Sequence, residues 1–163
     1  MAKNKEEKTN VMRVLEQKKI AYTAHTYPHE EGMAVDGVTV AKSMGFDPAI
    51  VFKTLVARGA SKQYYVFDVP VAENLDLKKA AKAVGEKFIE MIHQKELLPL
   101  TGYVHGGCSP VGMKKLFPTV FHSSAENLAA MIVSAGKIGY QVELAPHDLA
   151  ALVRAKFADI IVE

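Results

Sequence analysis

One cysteine and no tryptophan occur among the 163 residues of this chain. A lone Cys108 excludes an internal disulfide and metal sites built on paired cysteines, and it fits a reducing, cytoplasmic setting. Excess charge is missing as well. The 20 Lys+Arg face 18 Asp+Glu, a formal net charge of +2, so no whole-protein field announces nucleic acid. Asymmetric placement still leaves room for a basic patch. No apolar run approaches the ~18–20 residues that span a bilayer. The start, Met1-Ala-Lys-Asn-Lys-Glu-Glu-Lys8, is a polar charge run rather than a signal peptide and reads as a flexible lead-in to a domain over 9–163. The six histidines (25, 29, 93, 105, 122, 147) show no HExxH or other ligand spacing, so no metal site is expected. No repeat, low-complexity tract or internal boundary is visible. What remains, 49% apolar and 23% charged residues, is the composition of one globular domain.

The pattern along the chain predicts short, mixed elements. Thr9 or Asn10 caps a first helix whose Val11, Val14 and Leu15 share a face. A strand follows over Ile20–Thr26, then an aperiodic loop over 28–37. A short helix runs over Thr39–Met44 with Gly45 past its end, and Asp47-Pro48 opens another turn. Val51–Ala57 and Tyr64–Pro70 form a hairpin about Gly59–Lys62. Asp76 caps a helix over Leu77–Val84 that Gly85 closes, and Phe88–Ile92 and His93–Leu98 read as a brief strand and a helix. Thr119–His122, Ala130–Ser134 and Tyr140–Leu144 are strand candidates. Pro146 starts a final helix to about Lys156, with an edge strand over Ile160–Val162. Together these predict a mixed α/β single domain with one curved, barrel-like mixed sheet flanked by short helices.

Two places concentrate chemistry. Gly102-Tyr-Val-His-Gly-Gly-Cys-Ser-Pro-Val-Gly112 holds four glycines, a serine and a proline, followed by Lys114 and Lys115. Glycines let another molecule approach the main chain, whose N–H groups then suit an anion or a developing oxyanion. The order matches neither a P-loop nor a dinucleotide fingerprint. The second place is Lys53, inside the apolar strand Val51-Phe-Lys-Thr-Leu-Val56. Period-2 alternation sets it with Val51 and Leu55, where an ammonium needs an anionic partner, a function, or a stem that snorkels to the rim. Cys108 beside His105 invites a nucleophile–base pair, but no Asn or Asp lies nearby to orient the imidazole. His25 and His29 bracket Tyr27-Pro28, at a pocket mouth or simply at a strand end. Val133–Leu144 reads as a hairpin with a glycine-bearing turn, and otherwise as a second pocket wall offering Ser134 and Gln141.

Several segments in order carry a resemblance: His25-Thr-Tyr27, Val51-Phe-Lys-Thr-Leu55, Leu75-Asp-Leu-Lys-Lys-Ala80, the Gly102–Lys115 stretch, Ser134-x-Gly-Lys137 and Ala155-Lys-Phe-Ala-Asp159. From about Thr9 to Asp159 the chain resembles the YbaK/EbsC family of Cys-tRNA(Pro) deacylases, which is similar to the editing insertion domain of bacterial prolyl-tRNA synthetases. The resemblance implies an enzyme that acts in trans on the 3′ end of mischarged tRNA(Pro), beside prolyl-tRNA synthetase, without metal or cofactor. A synthetase pocket rejects an isostere poorly, and cysteine is nearly isosteric with proline. The implied chemistry has the substrate's own thiol attack its ester carbonyl.

Position by position, the resemblance gives Lys53 and Gly106 catalytic roles. It places Tyr27, Thr54, Gly107, Ser109, Ser134, Gly136 and Gln141 in substrate binding. Gln141 stands where the best-known branch carries an aspartate, the segment Glu31–Asp36 differs from that branch, and Cys108 fills a usually aliphatic position. A deacylase for another small residue such as alanine, using water, and a non-catalytic tRNA- or nucleotide-binding regulator are the alternatives. Replacing Gly106 is expected to block the substrate while leaving stability near native.

Overall fold

The computed structural model describes residues 8–30 and 32–163. The lead-in expected over residues 1–8 falls almost wholly outside them; Lys8 is described, and its Nζ bonds Glu16 Oε1 at 2.9 Å. Most helix ends are written in the sequence. Thr9 caps α1 (Asn10–Gln17) by accepting from Met12 N, and Asp36 caps α2 (Gly37–Ser43) by accepting from Thr39 N. Asp47 caps a 3₁₀ turn over Pro48–Ile50. Asp76 Oδ1 accepts from both Lys78 N and Lys79 N at the start of α3 (Leu77–Val84). Gly85 (φ 76°) and Gly102 (φ 87°) end α3 and α4 (Gln94–Thr101) in the left-handed conformation that glycine adopts without strain. Helix α4 continues through Pro99, past the end at Leu98 that the sequence suggested.

The strands are β1 (Thr23–Thr26), β2 (Phe52–Gly59), β3 (Tyr64–Pro70), β4 (Ile89–Met91), β5 (Thr119–His122), β6 (Met131–Ser134), β7 (Tyr140–Leu144) and β8 (Ala155–Ala158). They form two sheets rather than the single barrel-like sheet expected. A five-stranded sheet has the order β4-β2-β3-β5-β8, antiparallel through β4, β2 and β3 and parallel from β3 to β5 to β8. An antiparallel three-stranded sheet has the order β1-β7-β6. One parallel bridge, Val51 to Ile132, ties them, and the described strands close no barrel.

The carboxyl-terminal expectation also changes. Helix α5 (Pro146–Val153) stops at Arg154 (φ 59°), and Ala155–Ala158 becomes β8 instead of continuing the helix. Strand β5 is buried along its whole length and needs a hydrogen-bonding neighbour on its outer side. Residues 155–158 supply it in parallel register, with Phe157 edge-on to Phe121. The edge strand expected over Ile160–Val162 reduces to one bridge, Ile161 to Leu75.

The main core lies between the sheets, α1 and α5, and is built on Val11, Leu15, Phe52, Val56, Phe121, Met131, Val142 and Leu149. A second cluster under α3 holds Phe67, Val69, Ala80 and Ile160. A small third one, Ala41, Val51, Val71 and Ile132, pins α2 where the sheets meet. Among the described residues, no helix is long and apolar enough to cross a membrane. Asp76→Ala removes the acceptor for two α3 amides and should cost about 1 kcal/mol, lowering the melting temperature by roughly 2–4 °C in a thermal scan.

Candidate functional site

Strand β2 is paired unequally. Strand β3 accompanies it from Phe52 to Arg58, but β4 reaches only Ala57–Gly59. Along the open stretch, four consecutive residues, Phe52, Lys53, Thr54 and Leu55, line a cavity of about 360 Å³. The other walls come from Ala34–Gly37 and Val40 at the start of α2, from Tyr27, from His105, Gly106 and Cys108 of the glycine loop, and from Ser134 and Gln141 of the β6–β7 hairpin. That volume is at the small end of ligand sites, roughly 300–1,000 Å³.

The lysine meets the cavity as a half-buried group. Burial pulls its pKa below the ordinary lysine value, and the opposing attraction of Asp36 and Glu73 does not offset it. An anionic ligand would supply what those carboxylates do not. Across the cavity, Gly106 turns at φ 90°, and its N–H has no hydrogen-bond partner among the described residues. The next amide is spent, since Gly107 N donates to Val104 O at 3.0 Å. The Oε1 of Gln141, 6% exposed, is a buried acceptor without a partner among the described residues. In register beside it, Ser134 Oγ accepts from Gly136 N. The arrangement combines a cation, a free main-chain donor and a neutral acceptor around one small space.

The cysteine in the cavity's lining is not an activated nucleophile. Cys108 is 7% exposed, and burial, reinforced by the nearby Asp68 carboxylate, pushes its thiol up to about 12. A thiol held that high is neutral near pH 7 and a poor nucleophile. Among the described residues, no three His, Cys, Asp or Glu side chains gather as metal ligands.

Residues 29–152 match the sequence profile of the aminoacyl-tRNA editing domain. The chain belongs to that editing-domain family. It is 46% identical over 161 residues, 98% of each chain, to EbsC of Enterococcus faecalis, a protein named as a candidate Cys-tRNA(Pro)/Cys-tRNA(Cys) deacylase. Two solved structures share its fold. One is titled a candidate trans-editing enzyme for prolyl-tRNA synthetase (TM-score 0.79, 24% identity, 94% of this chain and 95% of that one). The other is titled a hypothetical protein (TM-score 0.83, 18% identity, 94% and 100%).

Of the residues that the sequence nominated, the editing domain brings Lys53, Gly106, Tyr27, Thr54, Ser134 and Gln141 to one cavity. It places Gly107, Ser109 and Gly136 behind the walls. Ser109, 0% exposed, braces its own turn by accepting from Val111 N. A Cβ on Gly107 would press on the backbone of Lys137 and Ile138, and one on Gly136 would strike Tyr103 and Val11. Both glycines serve close packing between the loop and the hairpin. His25 lies off the cavity, its Nε2 hydrogen-bonded to Glu143 Oε1 at 2.7 Å, while His29 Nδ1 turns to Tyr27 O.

Sequence reasoning missed Gly37 and Val40 of α2 and His105's place in the lining. It also missed Asp68, which is fully buried behind Thr54. Asp36-Gly-Val-Thr39 carried a cap signal that would have marked the wall. A single aspartate in Tyr64-Tyr-Val-Phe-Asp-Val-Pro70 would have marked the buried carboxyl.

The expectation for Gly106 needs correction. A Cβ there would lie 2.7 Å from Ala34 Cβ and 3.1 Å from Ala34 Cα, at a φ that L residues rarely adopt. Gly106→Ala should therefore lose about 1–3 kcal/mol of stability and displace the Ala34 segment, measurable by denaturant unfolding. Cys108→Ala should cost about 1 kcal/mol in the same assay while leaving the cavity's chemistry intact.

Proposed function

We propose that this editing domain clears cysteine mischarged on tRNA(Pro), acting in trans after prolyl-tRNA synthetase on the 3′ end of the aminoacyl-tRNA. The observation that carries the reading is that a half-buried lysine and a glycine whose N–H has no partner among the described residues line one small cavity whose cysteine is not activated. The near full-length relationship to EbsC supports the choice of substrate.

The chemistry follows from what each group can offer. The Gly106 N–H donates to the ester carbonyl oxygen as it becomes an oxyanion, and Lys53 supplies positive charge to that oxygen or to the terminal phosphate. Gln141 Oε1 accepts from the α-amino group, and Tyr27 and Thr54 bound the space for the side chain. The substrate thiol forms the new bond to the carbonyl carbon, and the ester C–O bond to the ribose breaks. The thiol proton ends on the ribose oxygen, so the tRNA leaves uncharged and the amino acid leaves as a thiolactone. Nucleophile and carbonyl belong to one molecule, and the protein's task is to hold them in line and stabilise charge.

Single-turnover assays on Cys-, Ala- and Pro-tRNA(Pro), run side by side, test the assignment. Cysteine should be released fastest; preferential release of alanine would replace the thiol with water as nucleophile. Lys53→Ala should slow Cys-tRNA(Pro) deacylation by ~10²–10³, about 2–4 kcal/mol of transition-state stabilisation. Lys53→Arg should not restore it, because a planar fork does not fit the place of a compact ammonium. Melting temperature should hold in Lys53→Ala, since removing a half-buried charge also removes its desolvation cost.

A further inference from the structure

Asp68 has no role in the scheme above, and its position is a costly one. It lies on β3 between Phe67 and Val69, 0% exposed, with Phe121 of β5 in register on one side and Thr54 of β2 on the other. Antiparallel cross-strand partners project to the same face, and Thr54 Oγ1 donates to Asp68 Oδ1 at 2.5 Å. The second oxygen, Oδ2, is buried with no partner among the described residues. An unpartnered buried carboxyl oxygen is a net cost to folding, which an apolar side chain of similar size would avoid. The group that Asp68 does serve is Thr54, and Thr54 lines the cavity.

A threonine hydroxyl has one proton and two lone pairs. While Asp68 is ionised, that proton is committed to Oδ1, and Thr54 presents only a lone pair to the cavity. Once Asp68 is protonated, its carboxylic acid donates to Thr54 Oγ1, and the hydroxyl proton is released toward the ligand. We propose that Asp68 is a positioning residue that acts through Thr54, setting whether the cavity meets its ligand there with an acceptor or with a donor. The proposal rests on the deacylase reading for the identity of that ligand. With Asp68 ionised, Thr54 accepts from the amino or thiol group of a bound aminoacyl ester.

The exchange falls near neutrality. Burial pushes the Asp68 carboxyl up to about 7, against the downward pull of the Thr54 hydrogen bond. The groups that face it are Thr54 from β2, Phe121 from β5 and Cys108 from the glycine loop, whose thiol, pushed up to about 12, stays neutral in that range. A carboxyl raised in the folded state stabilises fully below its unfolded pKa, and that contribution is lost as pH rises through the folded value. Asp68→Val should therefore melt above the wild type at about pH 8, with the gap narrowing toward pH 5.

Single-turnover deacylation of Cys-tRNA(Pro) between about pH 5.5 and 8.5 tests the proposal in wild type, Asp68→Asn, Asp68→Val and Thr54→Val. The ratio of wild-type to variant rate, in which the substrate's own thiol and amino titrations cancel, should carry an inflection near 7 for each of the three variants. Each variant should be about tenfold slower at the alkaline end. The Thr54→Val/Asp68→Val double variant should be no slower than either single one, because both changes remove the same interaction. A wild-type to variant ratio that stays flat across this range in a folded Asp68 variant overturns the proposal.

If the Asp68 variants do not fold, Thr54→Val decides through a ¹³C NMR titration of the Asp68 carboxyl. Loss of the hydrogen bond should move its midpoint upward, and an unmoved midpoint overturns the coupling. The same titration separates this proposal from the function. A wild type that clears no aminoacyl-tRNA sinks the deacylase reading, while the NMR midpoint still decides the Asp68–Thr54 link.

Discussion

The first half of β2 is laddered to a strand on one side only, meeting β6 on the other through the single Val51–Ile132 bridge, and most of what is distinctive in this molecule depends on that asymmetry. Strand β3 pairs along Phe52–Arg58 and holds the backbone straight, while β4 ends at Ala57. An open edge of this kind ordinarily invites another chain to pair with it. Here the start of α2, the glycine loop and the β6–β7 hairpin cover it without completing the ladder. The space left between edge and cover is the cavity. Residues that alternate along the strand can all reach it, so Lys53 and Thr54 serve one site although their side chains leave opposite faces.

Near this open edge two ionisable groups occupy places that a sheet ordinarily gives to apolar ones, Lys53 on the edge strand and Asp68 on the doubly paired β3. Lys53 is held below its ordinary pKa and Asp68 well above its own, and desolvation is the leading cause in both. Each is pushed toward its neutral form by the fold and would be drawn back by a ligand of suitable charge or hydrogen-bonding sense. Editing domains act on an ester whose carbonyl oxygen gains charge as it is attacked. A site that is underpaired when empty is matched by such a substrate at the moment of reaction rather than at binding. On the proposed reading, stability given up at Lys53 and Asp68 is the counterpart of activity, as is common where sites carry strain or buried charge.

Much of this architecture was legible in the chain because its local rules agree with one another. Asp76 with Gly85, Thr9 before Val11, and the Tyr64–Pro70 run opposite Val51–Ala57 each combine a cap or turn residue with the matching period. The errors fall where tertiary hydrogen bonding overrides local pattern. Ala155–Ala158 has helical company on its amino-terminal side, yet β5 needs a neighbour and takes it. Two sheets rather than one could not be read, because the bridge at Val51 and Ile132 is a contact between segments 81 residues apart, the difference between those two positions. In the site, the resemblance nominated Lys53, Gly106, Tyr27, Thr54, Ser134 and Gln141, and all six line the cavity. Place in the fold separates them from Gly107, Ser109 and Gly136, which lie outside the lining and serve turns and close packing.

The one cysteine shows why position outranks residue type. By type, Cys108 beside His105 is the obvious nucleophile. By place, it is a core residue whose thiol is deprotonated only at strongly alkaline pH. Its Sγ could be activated only if Asp68 and the surrounding apolar wall were removed, since both raise its pKa. The same wall would suppress any competing thiolate next to a bound ester, which matters if the reactive sulfur is to come from the substrate. A free protein thiolate there would be acylated and trap the amino acid on the enzyme. On the proposed reading, keeping Cys108 neutral and inert favours turnover and leaves the carbonyl to Lys53 and the Gly106 amide.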